Sequence, residues 1–248
     1  MGQDNDPIVT WSLALDGDPA NLEEWRVAFE DQPQARVTVE RTGSARPQYG
    51  LRSSHFDALT EASEVREIGS QLVARMYGAI KLQGKTGPVT LGTTAYAHRA
   101  GGRRNTHILP TPEPLRARTG PIEVLAAGQQ RPRSEEEQAV ELAETDDHVA
   151  DALEHFARSD GWFNLYKTLE VIEDDLCRRE GSRNGRQVIA RRDWATRKEL
   201  GDLGASIDFH RHHGGPRPDP LLALDAAQDL VRHLLREWLR EKRNARRS

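Results

Sequence analysis

The first 130 residues show the alternation of apolar and polar positions that is typical of half-buried strands. Residues 35–41 alternate in this way, and residues 88–97 are rich in β-branched side chains, which favour strands. A cluster of turn-forming residues at 16–19 ends the first strand. Together these patterns predict five strands, over residues 8–15, 35–41, 88–97, 106–109 and 121–125.

One helix is predicted to interrupt these strands. Between residues 62 and 82, apolar side chains recur at intervals of three and four, and Gly84 follows as a stop signal. A few antiparallel strands with one or two helices form an α+β unit. We therefore predict a small, mostly antiparallel α+β domain over residues 1–128, to which the sequence assigns no function.

The composition changes near residue 129. A small, polar stretch broken by Pro132 predicts a linker over residues 129–133. Ser134 and the three glutamates after it favour a helix start, because the backbone dipole is positive there. From this point the pattern is helical, and we predict an all-α up-down bundle over residues 134–248.

Two apolar stripes define the long helices of this bundle. One repeats at helical spacing between Leu165 and Leu176, and another predicts a last helix that begins near Leu224. Between the two stripes we predict a polar break over 181–185, a short helix over 188–200 and a glycine-containing loop that continues to residue 220.

Composition excludes several classes of protein. The single cysteine, Cys177, excludes an internal disulfide, and no apolar run reaches the length of about 18 residues that a membrane-spanning helix needs. The first residues lack the basic segment of a signal peptide. The sequence also lacks a glycine-rich phosphate loop, a nucleophile elbow and a zinc-protease helix. We expect a cytoplasmic protein with no membrane partner.

Charge is distributed unevenly along the chain. The net charge is −4 overall, but it is −11 over residues 134–180 and +6 over residues 181–248. Solvated helix faces that pair with each other account for this pattern, and nucleic-acid binding by the basic end is the alternative. The candidate nucleic-acid-binding residues share one face of the last helix: Arg236, Arg240 and Arg243.

The densest polar cluster is the stretch Asp-Phe-His-Arg-His-His-Gly-Gly-Pro at 208–216. Histidine binds zinc, but three histidines within four positions lack the second ligand pair of a structural site, so we predict no metal and no cofactor. A phosphate site formed by Arg211 and His212 is a second interpretation. The third is a loop whose side chains cap helix carbonyls and pair with acidic residues.

Tyr166 and Glu170 lie four residues apart, so they share one face of the predicted helix beside its apolar stripe. Half-buried polar side chains in such a position need polar partners. We predict that the segment 208–213 supplies them, through a pair between Glu170 and either Arg211 or His212. The spacing does not distinguish a structural pair from a catalytic one.

The order of features between Asp146 and Arg240 resembles a known family. A helix with the sequence Asp-His-Val-Ala-Asp-Ala-Leu leads to the run Gly-Trp-Phe-Asn-Leu-Tyr-Lys-Thr-Leu-Glu. Trp194, the Arg211-His212 pair and a last helix with Trp238 follow. This order resembles the C-terminal helical region of bacterial proteins placed with the HEPN-like (higher eukaryotes and prokaryotes nucleotide-binding) bundles. The resemblance covers about 95 residues and none of the first domain.

The resemblance implies a set of roles by position. Many HEPN domains are metal-independent ribonucleases with a signature of Arg, four to six residues and then His. None of the nine histidines here follows an arginine at that spacing, so the signature is absent. The residues that carry over as a candidate catalytic centre are Arg211 for phosphate contact, His212 for proton transfer, Tyr166 for a hydrogen bond from its ring and Glu170 for orientation of the histidine.

The resemblance also implies a function and an assembly. It predicts a bacterial protein associated with RNA or a nucleotide, with a role in stress or phage defence and a homodimer formed through the helical bundle. A divergent metal-independent ribonuclease that uses Arg211 and His212 is one alternative. A non-enzymatic protein-interaction module is the other, so whether the chain is an enzyme stays open.

Overall fold

The computed structural model describes most of the chain. The contacts between residues divide the protein into two compact units, residues 1–141 and residues 142–248, which are named here the sheet unit and the helical unit. No helix among the described residues is long and apolar enough to cross a membrane. The described residues are 8–40, 47–85, 87–100, 102, 104–109, 133–211 and 217–247.

The sheet unit contains a five-stranded antiparallel sheet in the spatial order β2-β3-β1-β4-β5. The central strand, β1, pairs Leu13 with Leu51 of one neighbour and Ser12 with Tyr96 of the other. The α+β class predicted from the sequence is therefore confirmed. The strands are β1 (Ile8–Asp16), β2 (Arg36–Glu40), β3 (Gln48–Arg52), β4 (Thr90–Arg99) and β5 (Arg104–Ile108).

Two helices, α1 (Pro19–Ala28) and α2 (Ala62–Leu82), complete the sheet unit together with a short 3-10 turn at 54–56. Since β3 lies between β1 and β2, the chain follows the split βαβ order. Gly69 of α2 lies directly against Leu13, so α2 packs on the face of the sheet that carries Leu13. The fully buried side chains of this core include Trp11, Leu13, Trp25, Phe29, Leu51, Leu72 and Met76.

The helical unit is organised around α5, which contacts α4, α6, α7 and α8. Residues 135–141 of helix α3 belong to the sheet unit, where Gln83 donates to Glu135, and only the end of α3 belongs to the helical unit. The core of the helical unit includes Leu153, Phe156, Leu165, Ile172, Leu234 and Trp238. The helices that follow residue 134 are α3 (Glu135–Ala143), α4 (Asp147–Ala157), α5 (Trp162–Glu180), α6 (Gly185–Arg191), α7 (Arg197–Arg211) and α8 (Leu224–Arg247).

Several predicted elements agree with the structure, and two elements were missed. Helix α2 has the predicted bounds, and α8 begins at the predicted residue. Helix α1 was missed because Asp18 and Pro19 indicate a turn, whereas the Asp18 carboxylate here accepts from the Ala20 amide at 2.9 Å and caps a helix. Strand β3 was missed because Gly50 interrupts its pattern. The strand predicted over 121–125 and the linker before Arg133 lie outside the described residues.

The predictions over 188–220 were wrong in part. Instead of one short helix and a long loop, α6 ends at Arg191 and α7 runs from Arg197 to Arg211. The break between them contains Asp193 in the left-handed conformation, with φ of 55°. A capping box then starts α7, because Thr196 and Glu199 exchange hydrogen bonds. Residues 208–211 therefore form the last turn of a helix and not a loop.

Candidate functional site

The end of α7 brings Arg211 against the first half of α5. The guanidinium carbon of Arg211 lies 3.9 Å from the centre of the Tyr166 ring. The Tyr166 hydroxyl in turn donates to the Glu170 carboxylate at 2.8 Å. The structure thus places these three residues together, while their catalytic role stays a prediction. His212, the fourth member of the predicted centre, lies outside the described residues.

Glu170 is held as a carboxylate by its neighbours. The ammonium group of Lys167 binds it, the Tyr166 hydroxyl donates to it and the positive charge of Arg211 acts on it. These interactions, led by the Lys167 hydrogen bond, keep the pKa of the Glu170 carboxyl below its ordinary value. The charge of Arg211 also lowers the pKa of Glu170, and the Arg211 guanidinium lies over the Tyr166 ring. The pair predicted between Glu170 and either Arg211 or His212 stays a prediction.

A second stacked pair lies at the start of α5. The rings of Trp162 and His210 are 4.4 Å apart and inclined by only 13°. Phe163, the next residue of α5, is 60% exposed, although a phenylalanine side chain is apolar. Trp162, Phe163, Tyr166, His210 and Arg211 are named here the aromatic–cationic surface.

This surface combines planar rings with a stacked cation. Aromatic rings and guanidinium planes are the groups on which proteins stack unpaired bases, and guanidinium edges bind phosphate. Tyr166 and Arg211 were predicted from the sequence, whereas Trp162, Phe163 and His210 were not. The four-residue spacing from Trp162 to Tyr166 is a signal that points to Trp162, because it places both rings on one helix face.

The chain matches no protein-family model, no curated protein and no solved structure. The likeness to HEPN domains accordingly stays an expectation from the sequence. Among the described residues, which leave out His212 and His213, no three His, Cys, Asp or Glu side chains are arranged to hold a metal ion.

A buried network of hydrogen bonds and ion pairs joins α5 to α8. The sequence did not predict it. Asp175 is 5% exposed and accepts from the indole nitrogen of Trp238 at 2.7 Å and from the ammonium group of Lys242 at 2.9 Å. Lys242 also binds Asp146, which caps the first turn of α4. The network therefore joins three helices, α4, α5 and α8.

Acid is expected to destabilise the helical unit through Asp175. Burial raises the pKa of this carboxyl, but hydrogen bonds from Lys242 and Trp238 outweigh that effect and lower the pKa below its ordinary value. A carboxyl with a lowered folded-state pKa stabilises the fold above its unfolded pKa of about 3.9 and loses this contribution as the pH falls through the folded value.

The urea midpoint of unfolding, measured by circular dichroism at pH 5 and pH 3, checks this expectation. We expect a smaller drop between the two pH values in Asp175→Asn than in the natural chain. Other carboxyls with lowered pKa values, such as those of Glu170 and Glu241, titrate in both proteins and cancel from the comparison. An equal drop in both proteins would show that Asp175 does not carry the effect.

One of the candidate arginines of α8, Arg240, is paired with an acidic side chain. Arg240 donates to both oxygens of Glu237, three residues earlier in the same helix, at 2.7 and 2.8 Å. The Arg240 side chain is 56% exposed, and exposed pairs of this kind contribute only about 0.2–1 kcal/mol. A phosphate can therefore replace Glu237 at little cost, and nucleic-acid binding by Arg236, Arg240 and Arg243 stays a prediction.

Proposed function

We propose that the helical unit is a HEPN-like domain that binds RNA or a nucleotide at the aromatic–cationic surface. The observation that carries the proposal is the stacking of Arg211 on Tyr166, beside the parallel rings of Trp162 and His210. The proposal includes a cytoplasmic location, a role in bacterial stress or phage defence and a homodimer formed through the helical unit. These further parts rest on the sequence resemblance.

The geometry of the surface fits a base next to a phosphate. Phe163 offers an exposed ring, and stacking of one base on an aromatic side chain contributes about 1–3 kcal/mol. Arg211 is exposed, and its ring contact with Tyr166 leaves the edge of the guanidinium plane open to a phosphate. The charge of Glu170 opposes such binding only weakly, because Lys167 is paired with it.

The state of Glu170 favours binding over acid catalysis. A general acid needs a proton to give, which requires a pKa near the working pH. The pKa of Glu170 is lowered, and its two oxygens accept hydrogen bonds from Tyr166 and Lys167. The carboxylate therefore suits a positioning role, in which it fixes the Tyr166 ring beneath Arg211.

Charge reversal at Arg211 is expected to weaken RNA binding by about tenfold or more, because it replaces a phosphate-binding cation with an anion. Phe163→Ala is expected to weaken it by about five- to 150-fold through lost stacking. The measurement is fluorescence anisotropy of a labelled single-stranded RNA with the full chain, repeated at two salt concentrations. Unlabelled ATP added as a competitor tests whether one nucleotide suffices for the same site.

Arg183→Glu provides the matched control. Arg183 is an exposed arginine just beyond the opposite end of α5, so the variant makes the same charge change far from the aromatic–cationic surface. Equal affinities in Arg211→Glu and Arg183→Glu would refute binding at this surface.

The ribonuclease alternative is tested with the same RNA. Cleavage that disappears in His212→Ala, while the circular dichroism spectrum is retained, would establish a catalytic role for the Arg211 and His212 pair. Binding without cleavage in the natural chain supports the proposal.

A further inference from the structure

The sheet unit carries a separate polar cluster on the face of the sheet opposite α2. Side chains alternate between the two faces of a strand, so Ser12 points away from the face on which its neighbour Leu13 packs against α2. Each of the five strands contributes one polar or charged side chain to this cluster: Ser12 from β1, Glu40 from β2, Arg52 from β3, His98 from β4 and Arg104 from β5.

The members of the cluster contact one another directly. The Ser12 hydroxyl lies 3.0 Å from the Nε2 atom of His98. Glu40 accepts from Arg104 at 2.6 Å and lies 3.7 Å from Arg52. The Arg104 guanidinium is also stacked over the ring of Tyr96, at 4.4 Å. These contacts gather two arginines, one carboxylate and one imidazole on a single sheet face.

Positive charge is in excess within this cluster. Two guanidinium groups share the single carboxylate of Glu40. The Nε atom of Arg52 is buried and has no hydrogen-bond acceptor among the described residues. Burial lowers the pKa of the His98 imidazole, and the charges of Arg52 and Arg104 lower it further against the opposing effect of Glu40. The cluster thus repels an added proton at His98 and favours an added anion.

We propose that this sheet face binds a phosphate group, held between Arg52 and Arg104 and next to His98. Guanidinium groups offer paired N–H donors whose spacing matches phosphate oxygens, and a dianion compensates both arginines where Glu40 alone does not. Arg104 and Arg52 remain accessible, since their side chains are 40% and 32% exposed. The ligand is therefore a dianionic phosphate group, and the site lies in a different unit from the aromatic–cationic surface.

The test uses inorganic phosphate and the full chain. Phosphate is titrated while the ring signals of His98 are followed by NMR, which reports on this site and not on Arg211. We expect a saturable shift of the His98 signals and a rise in the His98 pKa, because a bound anion stabilises the imidazolium ion. Ser12 contacts the His98 ring, and the charges of Arg52, Glu40 and Arg104 act on it. These groups act on the ring with and without phosphate, so the change in its pKa reports the added anion.

Arg52→Gln and Arg104→Gln are each expected to weaken phosphate binding by about tenfold, since each removes one guanidinium fork. Arg26→Gln is the matched control, because Arg26 lies on α1 and pairs there with Glu23 and Glu30. Arg104→Lys, which keeps the charge but loses the fork, serves as the second variant if a glutamine variant does not fold.

Three results would overturn the proposal. They are the absence of any His98 shift in phosphate, a shift that is linear and unsaturable, and equal affinities in Arg52→Gln and Arg26→Gln. The last result would mean that Arg52 and Arg104 form ion pairs with Glu40 and do not bind phosphate. The Arg211→Glu variant, in which the His98 shift is expected to be unchanged, separates this site from the one proposed for RNA.

Discussion

Replacing Lys242 with methionine is expected to destabilise the helical unit by about 3 kcal/mol. The ammonium group of Lys242 lies between two carboxylates, at 2.9 Å from Asp175 and 2.6 Å from Asp146. Methionine keeps most of the volume of the side chain but leaves the Asp175 carboxylate buried without its main partner. Removal of one partner of a buried ion pair costs about 3–5 kcal/mol.

The lower end of that range applies because part of the network survives. Asp175 still accepts from Trp238, and Arg179 lies 2.9 Å from the same carboxylate. Hydrogen exchange of the α5 and α8 amides in the full chain gives the free energy of opening of the helical unit without interference from the sheet unit. A combined Lys242→Met and Asp175→Asn variant is expected to recover part of the loss, because it removes the buried charge.

Lys198→Met provides the control for this prediction. Lys198 pairs with Asp202 on the surface of α7, and its side chain is 76% exposed. Exposed pairs contribute about 0.2–1 kcal/mol, so the change in opening free energy is expected to be small. A similar loss in Lys198→Met and Lys242→Met would show that the buried network adds nothing beyond a surface ion pair.

How far the sequence predicts the fold depends on whether local patterns agree with tertiary contacts. Helix α2 was predicted to the residue, because its apolar side chains recur at helical spacing along most of its 21 residues and no neighbouring segment overrides the pattern. Strand β3 was not predicted, because Gly50 lowers the strand propensity of a five-residue segment. Its position comes from pairing with β1 and β2, and local sequence does not encode such pairing.

The contacts of the candidate site likewise include some that the sequence predicts and others that it does not. Tyr166 and Glu170 are four residues apart, and helical geometry alone brings their side chains into contact. The approach of Arg211 depends on the length of α7, whose residues after Leu200 were predicted as a loop. The buried pair of Asp175 and Lys242 spans 67 residues, and no short-range pattern indicates it. Long-range polar contacts of this kind require the helix packing to be known first.

The glycines of the helical unit illustrate why α7 was mistaken for a loop. Gly201 and Gly204 lower helix propensity by about 1 kcal/mol each relative to alanine, and the sequence alone gives no reason for them. In the structure the two glycines differ, since a side chain at Gly201 meets no atom within 4 Å, whereas one at Gly204 meets the guanidinium group of Arg186. At a third glycine, Gly185, a side chain would meet the backbone of α5.

Gly185→Ala is expected to destabilise the helical unit by about 1–3 kcal/mol. Gly185 is the first residue of α6, and a Cβ atom placed there lies 2.5 Å from Cβ, 2.7 Å from Cα and 2.8 Å from the carbonyl oxygen of Glu173. Two of these three atoms belong to the backbone of α5, so a change of side-chain rotamer does not relieve the clash. The helices must move apart, which loosens the packing around the buried Val188 and Ile189 of α6.

Gly201→Ala reverses the sign of the effect and is the matched control. It makes the same substitution in a helix of the same unit where the site is open, and it is expected to stabilise the unit by about 0.5–1 kcal/mol because alanine loses less backbone entropy on folding. Hydrogen exchange of the α5 amides measures both variants on one scale. A stabilising effect of both variants would contradict the close approach of α6 to Glu173, since helix propensity alone favours alanine at both positions.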